Sequence, residues 1–290
     1  MPVVTVGEPV LRIVTLNIWN RAGDWELRRS VLRDGLAALR PDVIALQEAV
    51  VTADYDQAAD LLGDEYTIEH QSGRTPDGVG ASVASRRPIH VLADEILEHG
   101  GRMDPSAAWI GSLALYQIEC GGLMGNVVFA HHKPTWQYGL EREREALAVA
   151  AARRIDDVAG DAHVVLAGDF DAPLDAASIR FWSGLQSLGG YSVSYQDAWA
   201  VRHPRQRGDT FTPRNPLVRG GEMPLEPGRR IDYIFVRCNY HGPVLEVRAC
   251  DRLFDAPVGG VWASDHFGLV AELAVPAESP LAAPSSSTAA

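Results

Sequence analysis

The chain has little of several things, and each shortage narrows what it can be. Three cysteines in 290 residues, Cys120, Cys238 and Cys250, stand far apart and form no C-x-x-C pair. That excludes a disulfide framework and argues against a zinc site of that spacing, leaving reduced thiols as the simple reading. The opening stretch MPVVTVGEPVLRIVTLN lacks the basic and apolar regions of a signal peptide, and no apolar run approaches bilayer length. The expectation is a cytoplasmic protein without a membrane span. Lysine occurs once, at Lys133, every other basic side chain being arginine. Positive charge is scarce overall: 26 basic against 38 acidic residues leave a net charge of −12. That balance opposes tight sequence-independent binding to nucleic acid, because such affinity comes from neutralising phosphates.

What is present is the composition of a folded globule, 46% hydrophobic and 22% charged. The length suits one large domain, expected over residues 10–276 between a short leader, 1–9, and a Pro/Ser/Ala tail, 277–290. The tail has no periodic apolar pattern and is expected to be disordered. Between these ends, short β-branched runs alternate with helical patterns. LRIVTLNI (11–18), DVIALQ (42–47), GASVAS (80–85), SLALYQIE (112–119), NVVFAH (126–131), HVVLAGD (163–169), IDYIFVR (231–237) and FGLVAELAV (267–275) read as strands. Residues 26–39, stopped by Pro41, residues 54–62 and residues 140–158 read as helices. The class is α/β, and the turn-separated later strands predict mixed sheets rather than a single parallel one.

Polar, metal-compatible residues recur at the ends of these apolar runs. Asn17 follows LRIVTL, Glu48 follows DVIALQ, His131 and His132 follow NVVFA, and Asp169 and Asp171 follow HVVLAG. Asp232 opens a strand, and Ser264-Asp265-His266 precedes another. Strand ends on one edge of a sheet converge, so residues distant in sequence can build one site. Each alone has an ordinary explanation, a salt bridge for Glu48 or a cap for Asp169 and Asp265. Together they crowd carboxylates that would repel if empty, whereas a hard cation such as Mg2+ accepts carboxylate and water oxygens and leaves positions open for phosphate.

The chain resembles the endonuclease/exonuclease/phosphatase superfamily. The residues that carry the likeness are TLNIW (Asn17), ALQE (Glu48), GVGASVASRRPI (78–89), AHHKPTW (His131, His132), LAGDFDA (Asp169, Asp171), RRIDYIFV (Asp232) and ASDHFGL (Asp265, His266), in family order. The resemblance implies a four-layer α/β/β/α sandwich, with two mixed sheets face to face and helices outside. It also implies Mg2+, with Mn2+ as a substitute, held by Glu48, with Asn17 contributing to the metal and phosphate site and Asp265 binding metal or orienting His266. Asp169 would activate the attacking water, His266 would polarise the scissile phosphate or relay a proton together with Asp232, and His131 or His132 would donate to a phosphate oxygen.

Two departures stand out. The family has GDFN where this chain has GDFD, so Asp171 replaces an amide; it reads as a second metal ligand, as a protonated acid beside Asp169, or as a cap on the helix that follows. The family's Thr-His-Leu is here Ala-His-His, and strand alternation sends His131 and His132 to opposite faces, with His132 the favoured phosphate contact. Lys133, the single lysine, reads as a phosphate contact or as chance. Seven arginines between Arg202 and Arg230, against Asp209, Glu222 and Glu226, give a local charge of +4. That segment reads as a substrate-facing lid, with Arg230 and Asn215 its expected contacts, or as an ordinary solvated loop. The expected activity is metal-dependent hydrolysis of an anionic phosphoester, a phosphodiester or phosphomonoester of a small or lipid-like molecule. A DNA or RNA nuclease and a non-catalytic binding module are the alternatives.

Overall fold

The computed structural model describes residues 10–98 and 111–276; the expected leader (1–9) and tail (277–290) lie outside the described residues. One sheet holds β1 (Val10–Asn17), β2 (Val43–Val50), β3 (Thr67–His70), β4 (Val79–Ser85), β12 (Glu246–Leu253) and β13 (Gly268–Ala274), in the order β12-β13-β1-β2-β4-β3. The other holds β5 (Ile89–Ile96), β6 (Ser112–Gly121), β7 (Gly125–Lys133), β8 (His163–Asp169), β10 (Asp232–Asn239) and β11 (Gly242–Pro243), in the order β11-β10-β8-β7-β6-β5, with β9 (Tyr195–Asp197) on β10. β1 and β2 are parallel, as are β7 and β8, and the remaining pairs are antiparallel. Each parallel pair needs a crossover, supplied by α1 (Trp25–Leu39) and α3 (Glu141–Ala159), while the short α2 (Gln57–Leu62) and α5 (Ala198–Arg202) lie in other connections.

Alternation along the strands builds the layers. In β1, Leu11 and Ile13 join Ala114, Phe129, Val165 and Ile234 of the other sheet, while Val14 and Leu16 pack with Leu32 and Leu36 of α1. In the second sheet Leu113, Leu115, Val164 and Leu166 turn outward onto Leu147, Ala151 and Ile155 of α3 and onto α4 (Ala177–Trp182). Two sheets therefore face each other, with helices on both outer surfaces, as the resemblance implied. α1 begins at Asp24, whose carboxylate accepts from Leu27 N at 3.3 Å, and ends at Arg40 in the left-handed region, one residue before Pro41. Among the described residues, no helix is long and apolar enough to cross a membrane.

The expected strands and long helices form with small shifts at their ends. The strands not read from the sequence are β3, β5, β9, β11 and β12, and each pairs with a neighbour on one side only. β3 and β12 carry exposed polar positions where central strands carry apolar ones, β5 leaves Val91, Leu92 and Ile96 exposed, and β9 and β11 are three and two residues long.

Candidate active site

The parallel β1–β2 pair ends at the same edge as β8, and the antiparallel β10 and β13 begin there, so their polar termini meet. Asn17 closes β1, and its amide Nδ2 donates to Glu48 Oε1 at 2.9 Å and to Asp169 Oδ2 at 3.0 Å, using both of its hydrogens. Its Oδ1 accepts from Trp19 N at 2.9 Å. Glu48 reaches this point through a bulge. The pairing of β2 with β4 jumps from Leu46↔Ser82 to Ala49↔Gly80, so Gln47 and Glu48 oppose Ala81 alone, and Glu48 takes φ 57°. A left-handed non-glycine residue costs on the order of 1–2 kcal/mol. The Arg74 guanidinium holds the distortion, donating to the carbonyls of Ala49 (2.7 Å), Gly78 (2.9 Å) and Ala81 (2.6 Å).

Asp169 and Asp232 are direct cross-strand partners on β8 and β10, which places two buried carboxylates on one face. His266 makes that arrangement tolerable. Its Nδ1 lies 3.0 Å from Asp232 Oδ2 and its Nε2 lies 3.9 Å from Asp169 Oδ2. Burial works against a charged ring, but Asp232 and Asp169 outweigh it and push the imidazole up to about 10, so His266 is an imidazolium at neutral pH. The turn at Thr210 and Phe211 stitches the two strand starts together. Thr210 Oγ1 accepts from Ile231 N and Asp232 N at 3.1 and 3.2 Å, and Phe211 bridges to both Arg229 and His266.

Lys133, 1% exposed at the end of β7, places its ammonium 2.8 Å from Asp169 Oδ2 and in contact with Asp171 Oδ2. Burial alone would raise Asp169, but Lys133 and His266 hold it below the usual carboxylate range. Asp171 goes the other way, raised by burial and by Asp169 against the pull of Lys133. It occupies φ 54°, a conformation that the family's asparagine adopts more readily, and it caps no helix: α4 starts later, with Ala176 at its N-cap and no side-chain bond there. Gly168, just before, is fixed by close approach, since a Cβ would sit 2.1 Å from the His132 carbonyl oxygen.

Asp265 lines the same cleft as Glu48, and burial, with Glu48 adding to it, raises its carboxyl to about 6 despite His266. The buried Arg28 backs this pair. Its guanidinium donates to the carbonyls of Ile18, Ala22 (2.7 Å) and Ala263 (3.0 Å), tying the loop after Asn17 to the segment before Asp265. Burial lowers Arg28 to about 10, with Asp265 and Glu48 opposing.

The carboxylates of Glu48 and Asp265, which face one cleft, are hard oxygen donors that fit a divalent cation, whereas Asn17, expected beside the metal, and Asn20 turn amide N–H groups to Glu48 and offer it no oxygen there. Asp169, Asp232 and His266 also bring ligand atoms within 4.8 Å of one another. There, however, the ring nitrogen nearest Asp232 is already engaged and the imidazole carries its proton, which suits proton handling rather than ligation.

The structure thus gathers Asn17, Glu48, Lys133, Asp169, Asp171, Asp265 and His266 around one cleft, with Asp232 behind His266. Four expected residues lie elsewhere. His131 and His132 do face opposite sides, but neither lines the cleft. His131 is enclosed between the sheets by Gln47 (2.9 Å) and Gln71 (2.7 Å), and burial drives it down to about 3. His132, the favoured one, points outward against Phe170 and Trp182 with Nδ1 on the Ser112 carbonyl at 2.9 Å, and burial drives it down to about 4. Arg230 turns away to pair with Asp197 at 2.7 Å. Asn215 caps α6 (Pro216–Gly220) and donates to the carbonyls of Ser264 and Asp265 at 2.8 and 3.1 Å, so it fixes the segment that carries Asp265 from behind.

The arginine-rich segment does reach the cleft, but chiefly through Leu217, Val218 and Met223, with Arg229 as its cation. Arg229 faces the cleft and Arg230 does not, because adjacent extended residues face opposite ways and Arg230 is spent on Asp197. Arg28 and Arg74 carried no signal beyond an arginine in a helix and in a loop.

The sequence pattern of the Endonuclease/Exonuclease/phosphatase family matches residues 14–266. No curated protein matches the chain. Solved structures do. D. rerio TDP2 complexed with single strand DNA product aligns with a TM-score of 0.71 at 20% identity, over 91% of this chain and 98% of that one. The human Nocturnin catalytic domain with bound sulfate aligns with a TM-score of 0.70 at 18% identity, over 93% and 96%. An endonuclease/exonuclease/phosphatase from Bacteroides vulgatus aligns with a TM-score of 0.65 at 19% identity, over 92% and 99%. At such identities the likeness is one of fold.

Proposed function

The chain belongs to the endonuclease/exonuclease/phosphatase family, and from that premise we propose that it is a Mg2+-dependent hydrolase of phosphoester bonds. The observation that carries the reading is the Asn17 amide, which bonds the carboxylate proposed to hold metal, Glu48, and the carboxylate proposed to handle water, Asp169, at once. Glu48 and Asp265 would hold the ion. Bound there, it supplies Lewis-acid stabilisation of charge developing on the phosphoryl oxygens.

The side chains do the rest. Asp169, ionised and fixed by Asn17 and Lys133, orients the attacking water and accepts its proton as the new P–O bond forms and the ester P–O bond breaks, the departing oxygen taking its proton from solvent. His266 presents its Nε2–H to a phosphoryl oxygen, and Asp232 on Nδ1 holds the ring in place and keeps it charged. Lys133 adds positive charge at the cleft floor and lets Asp169 and Asp171 sit side by side. Asp171, in the asparagine position, donates nothing when ionised, so this chain relies on Lys133 and His266 for donors to phosphate.

Hydrolysis of bis(4-nitrophenyl) phosphate tests the reading. Turnover should require Mg2+ or Mn2+, disappear with chelator, and fall by about 10³-fold or more in Asp169→Asn and Glu48→Gln. Metal-independent turnover, or full activity in either variant, would show the roles are wrong. D. rerio TDP2, described with a single strand DNA product, supports a nuclease as the second reading. A nuclease would show binding that weakens steeply with salt.

A further inference from the structure

We infer that the cleft takes a small ester with a single phosphate and an apolar organic group, selected by Leu217, Val218 and Met223 on the segment around α6 together with Trp136. The inference deepens the hydrolase reading and rests on it. The cavity holds about 480 Å³, a size that suits a small molecule. Its apolar wall begins where the polar centre stops: the Phe211 ring lies 4.8 Å from the His266 ring, and Val218, Ile231 and Met223 pack on Phe211. A phosphate at His266 and Lys133 would therefore leave its organic substituent against Phe211, Val218 and Met223. Trp136, 40% exposed, adds an aromatic face to the same cavity.

The charges oppose a polyanion. Exposed Asp77 and Glu222 stand at the cleft with the acids of the centre, and among the described residues its lysine and arginine lining is Lys133 and Arg229. Lys133 is shared among Asp169, Asp171 and the one phosphate, and Arg229 is engaged with Glu226 at 2.9 Å and stacked over Tyr138, so neither is left for a second phosphate. None of the other arginines of the +4 segment lines the cleft, and three of them are tied to the scaffold: Arg230 pairs with Asp197, Arg207 with Asp209, and Arg219 donates to the Pro213 carbonyl. A second phosphate of a nucleic acid strand would meet repulsion rather than a cation.

Calorimetric titration of the Mg2+-loaded protein with methyl-, hexyl- and phenylphosphonate and with a (dT)12 oligonucleotide tests this without turnover. Hexyl- and phenylphosphonate should bind at least about tenfold tighter than methylphosphonate. A phenyl advantage over hexyl assigns the gain to aromatic contact with Trp136, and equal gains assign it to the aliphatic wall. Leu217→Ser and Met223→Ser, both at partly exposed positions, should each cut the advantage to about threefold or less, while Leu225→Ser, 93% exposed and off the cleft, should keep it. Equal affinity for all three phosphonates, or tighter binding of (dT)12 than of phenylphosphonate, overturns the inference. Apolar preference without metal-dependent hydrolysis of bis(4-nitrophenyl) phosphate would sink the hydrolase reading and leave the selectivity standing.

Discussion

Lys133→Met removes the one cation lying between two buried carboxylates, and the structure sets how much that should cost. The ammonium is 1% exposed, bonds Asp169 at 2.8 Å and touches Asp171. Breaking a buried ion pair from one side costs about 3–5 kcal/mol, because the remaining charge has no compensation. Here the loss has a ready escape. Asp171 is already raised by burial and by Asp169, so without Lys133 it takes up a proton. A carboxyl raised in the folded state binds more protons folded than unfolded, so its stabilisation is present at low pH and lost as pH rises through the folded value. Urea denaturation of Lys133→Met should therefore show a deficit of about 3–5 kcal/mol at pH 8 that shrinks towards pH 5. Lys133→Met/Asp171→Asn, which removes the second charge and restores the amide, should recover at least about half of the loss at pH 8 and flatten the pH dependence. A deficit that does not change with pH, or no rescue by Asp171→Asn, would refute the reasoning.

Arg28→Met should leave the β1–α1 loop and the Ala263 segment unclamped, lowering Mg2+-dependent turnover by about tenfold or more and weakening metal binding by calorimetry. His131 and His132 are held neutral by burial, so the unfolded chain binds more protons between pH 6.5 and the depressed folded values. Stability should then fall as pH drops below 6.5, with each histidine contributing a slope of up to about 1.4 kcal/mol per pH unit, and His132→Phe should lessen the slope in acid titrations. Arg230→Met breaks the Asp197 pair and should cost about 3–5 kcal/mol of stability by denaturation while leaving KM unchanged.

The edge where the candidate site gathers was legible because it consists of polar residues at the ends of apolar runs. Asn17, Glu48, Asp169, Asp232, Asp265 and His266 each break a strand pattern, and a residue buried at polar cost announces itself in one dimension. What pattern cannot carry is side-chain direction over one residue. Choosing between His131 and His132, or between Arg229 and Arg230, needs to know which partner lies across the fold. For His131 that partner is Gln47 and Gln71, and for Arg230 it is Asp197. Asn215 misled for a related reason: an amide in a loop near a site serves equally to grip a ligand or to bind backbone carbonyls, and here it binds those of Ser264 and Asp265. The bulge at Glu48 was invisible too, because its cause is the register shift against β4 and the Arg74 clamp, both set by residues well downstream.

Anomalous diffraction from a Mn2+-soaked crystal of the full chain bears most directly on the centre described here. A single strong peak between the carboxylates of Glu48 and Asp265, lost in Glu48→Gln, is the predicted result. A peak seated instead on Asp169, Asp232 and His266, or none at either place, would contradict the assignment of metal to one pair of carboxylates and proton handling to the other.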